Sequence, residues 1–433
     1  MSLAENIDFF SRLPKPGDWP LLGRGLRGDP PSPLVEVQGF GSNPGNLRMF
    51  AFAPAKLQQP RALVVVLHGC GQTAASYDLG AGWSTLAKHY GFALLLPQQQ
   101  PANNANGCFN WFSEDDIARG RGEAGSIWQM VARMVRDHGI DPRRVFITGL
   151  SAGGAMTSVM LATYPEVFAA GAIIAGLPFG IAANVREALT AMRGFRPRLA
   201  SELGDLVRDA SKHRGAFPRV SVWHGSADRT VNPANADEIV KQWLDVHGLP
   251  EAPMSEGMVN GHPRQVWWND DGDTIVESYT IGDMAHGTPL GRADDERRYG
   301  RQGAFLLEAG ISSPYHIAKF FGLTHWIRDA KLARAESPSA KLIPAVSLPA
   351  PTEAAAPAPA PVKVERPQVV EPEPAASACI EVAAPARVQP RPSPIGRQPN
   401  ETKPNAAPKK ARRILDRVGG TIARALIAAG LIK

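Results

Sequence analysis

The chain has 433 residues, 44 % of them hydrophobic and 20 % charged, a balance that can bury a sizeable core and excludes a fibrous or wholly disordered protein. Its net charge of +6 is uneven: residues 331–433 carry +8 and residues 1–330 carry −2, so the basic excess belongs to the tail and argues against a nucleic-acid-binding main domain. Three cysteines, Cys70, Cys108 and Cys379, are too few for a disulfide scaffold, and none lies in a cluster with zinc spacing, so no metal is expected.

The N-terminal stretch MSLAENIDFF carries Glu5 and Asp8 early and has no continuous apolar run, so no secretory signal is read there. No segment approaches the ~18 apolar residues of a membrane-spanning helix. Further along, short apolar runs alternate with longer helical patterns. Residues 62–67 (ALVVVL), 92–96, 144–148, 169–175 and 220–223 read as strands buried on both faces. Residues 127–138, 152–164 and 235–247 read as the helices between them. This alternation predicts an α/β domain over residues 1–330, with a mostly parallel sheet covered by helices on both sides. Residues 177–217 form a candidate cap with no clear helical register. The Trp267-Trp268 pair, on a strand, would send one ring inward and one outward.

The composition then changes. Residues 338–408 hold 17 of the 39 prolines, so 331–408 reads as a disordered Pro/Ala linker. Residues 409–433 regain helical periodicity. Ile414, Val418, Ile422 and Leu426 follow at four-residue steps, and Lys410, Arg413, Arg417 and Arg424 fall on another face, although Gly419-Gly420 weakens the pattern. Such a basic amphipathic helix could contact a membrane or a polymer-granule surface, or fold back on protein.

Four motifs carry chemistry. The strand at 62–67 ends in His68-Gly69-Cys70-Gly71, a turn whose glycines let the backbone approach a reacting oxygen; the Cys70 amide is the expected donor, with His68 orienting the loop. Cys70 and Cys108 could form one disulfide or remain two thiols. The strand at 144–148 runs into Gly149-Leu150-Ser151-Ala152-Gly153 and then a small-residue helix. That is the setting of a nucleophilic serine on a strained elbow, where the Ala152 amide and the helix N-terminus favour an oxyanion. An orienting acid is expected on the loop after a later strand, and Asp228 sits there; Asp205 and Asp209 precede that strand and Asp237 lies on the following helix. A base must follow in the chain. His286, on the loop after the strand-like 274–281, fits best; His262 is its rival, while His247, His316 and His325 lie on helical patterns. Trp111 and Phe112 could line an ester-binding cleft or anchor the core.

LHGCGQTAASYD, NGCFNWF, GLSAGGAMT, HGSADRTVNPAN and DMAHGTPLG, in this order, resemble the poly(3-hydroxyalkanoate) depolymerase family of esterases, related to feruloyl and acetyl-xylan esterases, over roughly residues 40–325. The resemblance implies an α/β-hydrolase fold, a Ser151–His286–Asp228 triad, an oxyanion loop at His68–Cys70 and no cofactor. It implies hydroxyalkanoate polyesters, or related small esters, as substrates. It also implies an extracellular enzyme, whereas the N-terminal reading points to the cytoplasm. An oligopeptidase of the same fold and a non-catalytic granule-binding protein are the competing readings. The complete Ser, Asp, His order argues against the second.

Overall fold

In the computed structural model, which describes residues 32–194, 197–292, 294 and 299–324, the Val/Leu/Ile-rich runs become the centre of one large sheet. In chain order the first half contains β1 (Val35–Val37), β2 (Arg48–Phe52), β3 (Leu63–Leu67), α1 (Ala74–Ala81), α2 (Trp83–Tyr90), β4 (Ala93–Gln98), α3 (Glu114–Ile117) and α4 (Gly122–His138). The middle contains β5 (Val145–Leu150), α5 (Ala152–Thr163), β6 (Ala170–Ile174), α6 (Val185–Met192), α7 (Ala200–Asp209), β7 (Arg219–Gly225) and α8 (Ala234–His247). It ends with β8 (Ser255–Val259), β9 (His262–Trp268), β10 (Thr274–Ile281), β11 (Thr288–Leu290), β12 (Leu306–Glu308) and α9 (Ser313–Phe320).

Ten of these strands pair in the order β1-β2-β4-β3-β5-β6-β7-β10-β9-β8. The block β4-β3-β5-β6-β7-β10 is parallel, and antiparallel strands extend it at both ends. β3 shows why the centre needs no polar face. Leu63, Val65 and Leu67 belong to the apolar layer shared with Ile127 and Met130 of α4, Met156 of α5 and Trp243 of α8. Val64 and Val66 belong to the opposite layer, with Tyr77 of α1, Trp83 and Leu86 of α2 and Ile317 of α9. Each fully buried side chain of this kind contributes roughly 1.5–3 kcal/mol. Helices on both faces supply that burial, as a parallel sheet requires.

The expected inner strands and three expected helices form, with ends shifted by a few residues. Of the antiparallel additions only the strand bearing Trp267-Trp268, β9, was foreseen. β8 (SEGMV) is largely exposed and lacks an apolar repeat, so it exists through pairing with β9 rather than through its own pattern. Within 177–217 the chain makes α6 and α7. α7 carries its apolar residues Leu203 and Val207 inward, and the Asn232 N–H donates to the carbonyl of Met192 at the end of α6, 2.7 Å away. The segments expected at 331–408 and 409–433, both domain boundaries, and residues 1–31 lie outside the described residues.

Candidate active site

The loops that follow β3, β5, β7 and β10 carry the predicted residues, and they share one end of the parallel block, where strand carboxyl ends leave the sheet. Hydrogen bonds stitch these strand ends together in sequence. Ser151 N–H donates to Ile174 O (2.9 Å), Ala175 N–H to Trp223 O (2.8 Å) and Ser226 N–H to Ile281 O (2.9 Å). A continuous backbone rim therefore runs from the serine to the strand that delivers His286.

Ser151 sits at φ 58°, ψ −118°, a conformation that side-chain-bearing residues rarely adopt, between the last residue of β5 and the first of α5. The glycines around it are imposed by backbone packing. A Cβ on Gly149 would meet the Gly153 carbonyl, and one on Gly153 would meet the carbonyls of Leu67 and His68. The elbow is thus pressed directly onto the end of β3 and the oxyanion loop.

That loop is fixed from three sides. Gly69 N–H donates to Gln72 Oε1 (2.8 Å), Gly71 N–H donates to Asn106 O (2.8 Å), and Cys70 is joined to Cys108 by a disulfide, with Cα atoms 4.3 Å apart. The pairing that spacing alone left open is therefore made. Among the described residues neither the Cys70 nor the Ala152 N–H has a hydrogen-bond acceptor. His68 is buried and accepts the Gln99 N–H at Nε2 (3.1 Å), so its Nδ1–H donates to Gly69 O (2.8 Å). Burial lowers its pKa to about 4, so the ring is neutral and serves to orient the loop.

Beneath this loop lies a polar hub that sequence reasoning missed. The carboxylate of Glu123, on α4 and fully buried, accepts Gln99 Nε2 (2.5 Å), Asn110 Nδ2 (2.8 Å) and Asn110 N–H (2.9 Å). Gln99 Nε2 also donates to Cys108 O (3.0 Å). Burial, and secondarily the Asp116 charge, push Glu123 up to about 8. A lone glutamate in a helical stretch gives no sign in sequence that it faces inward.

On the other side of the rim, Asp228 is held by three N–H groups, with the His224 ring beside it. Oδ1 accepts from Thr230 (2.8 Å) and Val231 (2.9 Å); Oδ2 lies 2.7 Å from His286 Nδ1 and 3.3 Å from His224 Nε2. Burial alone would raise its pKa, but the nearby His224 and His286 N–H groups outweigh it and hold the carboxyl well below the usual carboxylate range. The base loop is sewn to the acid loop. Asp283 N–H donates to Ser226 Oγ (2.9 Å) and Ala227 N–H to Met284 O (3.1 Å), and a Cβ on Gly225 would meet the Met284 carbonyl. The Phe305 ring stands edge-on to His286 with centroids 5.8 Å apart, and Phe305 itself holds a positive φ of 59°.

The rival His262 lies elsewhere. Its Nε2 bonds Ala309 O (2.7 Å) and its Nδ1 accepts Gly282 N–H (3.2 Å), so both nitrogens are committed to pinning the root of the base loop. His247 bonds Pro218 O at the end of α8, and His325 lies outside the described residues. Asp237 is exposed on α8 and Asp205 pairs with Arg208. Trp111 is 7 % exposed within the apolar layer of α4 and α5, and half-buried Phe112 stands edge-on to it. Trp267 is 2 % exposed and Trp268 37 %, one ring in and one out.

The family model described as "Esterase PHB depolymerase" matches residues 49–260, a span that includes Ser151 and Asp228 and stops before His286. The chain is 46 % identical to poly(3-hydroxyalkanoate) depolymerase C of Paucimonas lemoignei over 291 residues, 67 % of this chain and 70 % of that protein. It is 34 % identical to an acetylxylan esterase of Coprinopsis cinerea, over 60 % of this chain and 72 % of the other. Among solved structures, an acetyl xylan esterase from Aspergillus awamori superposes with a TM-score of 0.57 at 26 % identity, covering 67 % of this chain and 99 % of that one.

Proposed function

The chain belongs to the esterase PHB depolymerase family, and from that premise we propose that it is a serine esterase that hydrolyses poly(3-hydroxyalkanoate) or its oligomers through Ser151, His286 and Asp228. The 2.7 Å contact between His286 Nδ1 and Asp228 Oδ2 carries the reading. It leaves Nε2 of the imidazole as the nitrogen that exchanges protons with Ser151. Ser151 Oγ attacks the ester carbonyl while His286 Nε2 takes its proton. The N–H groups of Cys70 and Ala152 receive the oxyanion. The tetrahedral adduct collapses, His286 returns the proton to the departing alkoxide, and an acyl-Ser151 remains. Water, deprotonated by His286, then releases the acid. The ionised Asp228 keeps the Nδ1–H tautomer and stabilises the imidazolium in both halves.

The polyester assignment rests on the 46 % identity to the Paucimonas lemoignei depolymerase. The 34 % identity to an acetylxylan esterase favours a second reading, in which the acyl group is acetate on a polysaccharide. Purified enzyme on amorphous poly(3-hydroxybutyrate), hydroxybutyrate oligomers and acetylated xylan tests both. Release of 3-hydroxybutyrate supports the first; release of acetate alone replaces it with the second. The N-terminal 330 residues are proposed to act alone on soluble esters, with 331–408 as a linker and 409–433 as the surface contact. The support for that division is the sequence pattern alone, and co-sedimentation of full-length and 1–330 chains with polyester granules tests it.

A further inference from the structure

His224 has no part in the chemistry just described, yet it is 3 % exposed and lies against the acid. It is the penultimate residue of β7, opposite Thr280 of β10, so it sits in the strand pair that delivers Asp228 and His286. Its Nε2 is 2.9 Å from Val231 O and 3.3 Å from Asp228 Oδ2. A carbonyl oxygen only accepts, so Nε2 carries a proton. Its Nδ1 is buried and has no hydrogen-bond partner among the described residues. The other charged group it feels is Asp237, exposed on α8.

We infer that His224 is a positioning residue of the site, whose Nε2–H donates to the Val231 carbonyl while standing 3.3 Å from the Asp228 Oδ2 that His286 bonds, closing a ring through Val231 that fixes the carboxylate. Val231 donates its N–H to Oδ1 and receives the His224 proton at its carbonyl, so moving His224 frees both ends of the acid loop. The N–H beside Oδ2 also has an electronic consequence. A second N–H withdraws charge from the carboxylate, so the imidazolium of His286 is stabilised less than by an acid with one partner.

This rests on the Ser151–His286–Asp228 reading, and the experiment separates the two. Glutamine places an amide nitrogen where Nε2 stands, whereas asparagine places one near Nδ1, which makes no bond. H224Q, H224N and S151A are compared with wild type by kcat, KM and the pH profile of kcat/KM on a soluble p-nitrophenyl ester, with thermal melts to check folding. For H224N, kcat falls roughly 10- to 100-fold with KM within about twofold, and the acid limb of the profile moves upward by about half a pH unit or more, the scale of losing one supporting contact. H224Q retains kcat within about threefold and keeps the acid limb in place. Equal losses in both variants, or an acid limb that stays put in H224N, overturn the inference. An active S151A overturns the triad reading instead.

Discussion

The two halves of the site are held by different means. The serine and oxyanion half is fixed by backbone: glycines at 149 and 153 wedged against β3, a strained φ at Ser151 and a disulfide behind Cys70. The acid and base half is fixed mainly through side chains: three N–H groups on one carboxylate, Ser226 Oγ under the base loop, and His262 at its root, with Gly225 against the Met284 carbonyl as its one backbone wedge. A backbone-held half fails abruptly when a side chain is forced in. A half held by side-chain hydrogen bonds can be weakened one bond at a time. In the proposed mechanism the oxyanion donors are needed in one position for every substrate, whereas the imidazole exchanges protons twice per turnover, and the two kinds of support match those demands.

The largest effects cross both halves. Ser151→Ala and His286→Ala each lower kcat by about 10⁶-fold, because nucleophile and base act as one unit. Ester hydrolysis at saturating substrate checks this, and an S151A enzyme retaining a few per cent of activity would end the assignment. Asp228→Asn is milder, about 10⁴-fold, since the amide turns the imidazole to the wrong tautomer without emptying the space. A D228N enzyme as active as wild type would detach the acid from catalysis.

The next test strikes the backbone-held half alone. Replacing Cys70 and Cys108 together by serine opens a link between residues 38 apart and costs roughly 2–4 kcal/mol of stability. The Cys70 amide is also the expected oxyanion donor, so kcat falls beyond what unfolding explains, while KM on a small ester changes little. Denaturant melts and initial rates on the same samples separate the two losses. A double variant with lowered stability and unchanged kcat would show that Gln72, Asn106 and His68 hold the loop by themselves.

The same contrast decides what could be read from sequence. The backbone-held half announces itself, because close backbone approach demands glycine at 149 and 153, a positive φ favours it at 71, and glycine is visible in a sequence. The two-sided apolar runs marked the parallel strands for the same reason, since burial on both faces leaves no polar position. On the other half, Asp228 and His286 could be chosen by order along the chain, but their partners could not. His224, Ser226, His262 and Glu123 are ordinary letters in strands, loops and helices, and only the folded chain puts them against a carboxylate or a backbone amide. Edge strands such as β8 hid because they depend on pairing with a neighbour and carry no apolar repeat of their own.

Glu123 offers the smallest effect and the sharpest sign. In the unfolded chain its carboxyl titrates near the ordinary glutamate value of 4.5; in the folded protein burial, with Asp116, pushes it to about 8. Between those values the unfolded chain has given up a proton that the folded protein keeps. Stability attributable to this group therefore falls as pH rises from about 4.5 to about 8, and is fully present below that window. Gln99 and Asn110, which donate to Glu123, tie that ionisation to the loop bearing Cys108 and hence to the oxyanion donor. Glu123→Gln keeps one acceptor oxygen for the side-chain amides of Gln99 and Asn110, loses the acceptor of the Asn110 N–H, and removes the titration. It should flatten the decline of unfolding free energy across this pH range, with kcat near neutrality changed by only a few-fold, the scale of altering one supporting contact. Denaturant melts of both proteins at a series of pH values give the comparison, and parallel curves would mean that Glu123 titrates in the folded protein as it does in the unfolded chain.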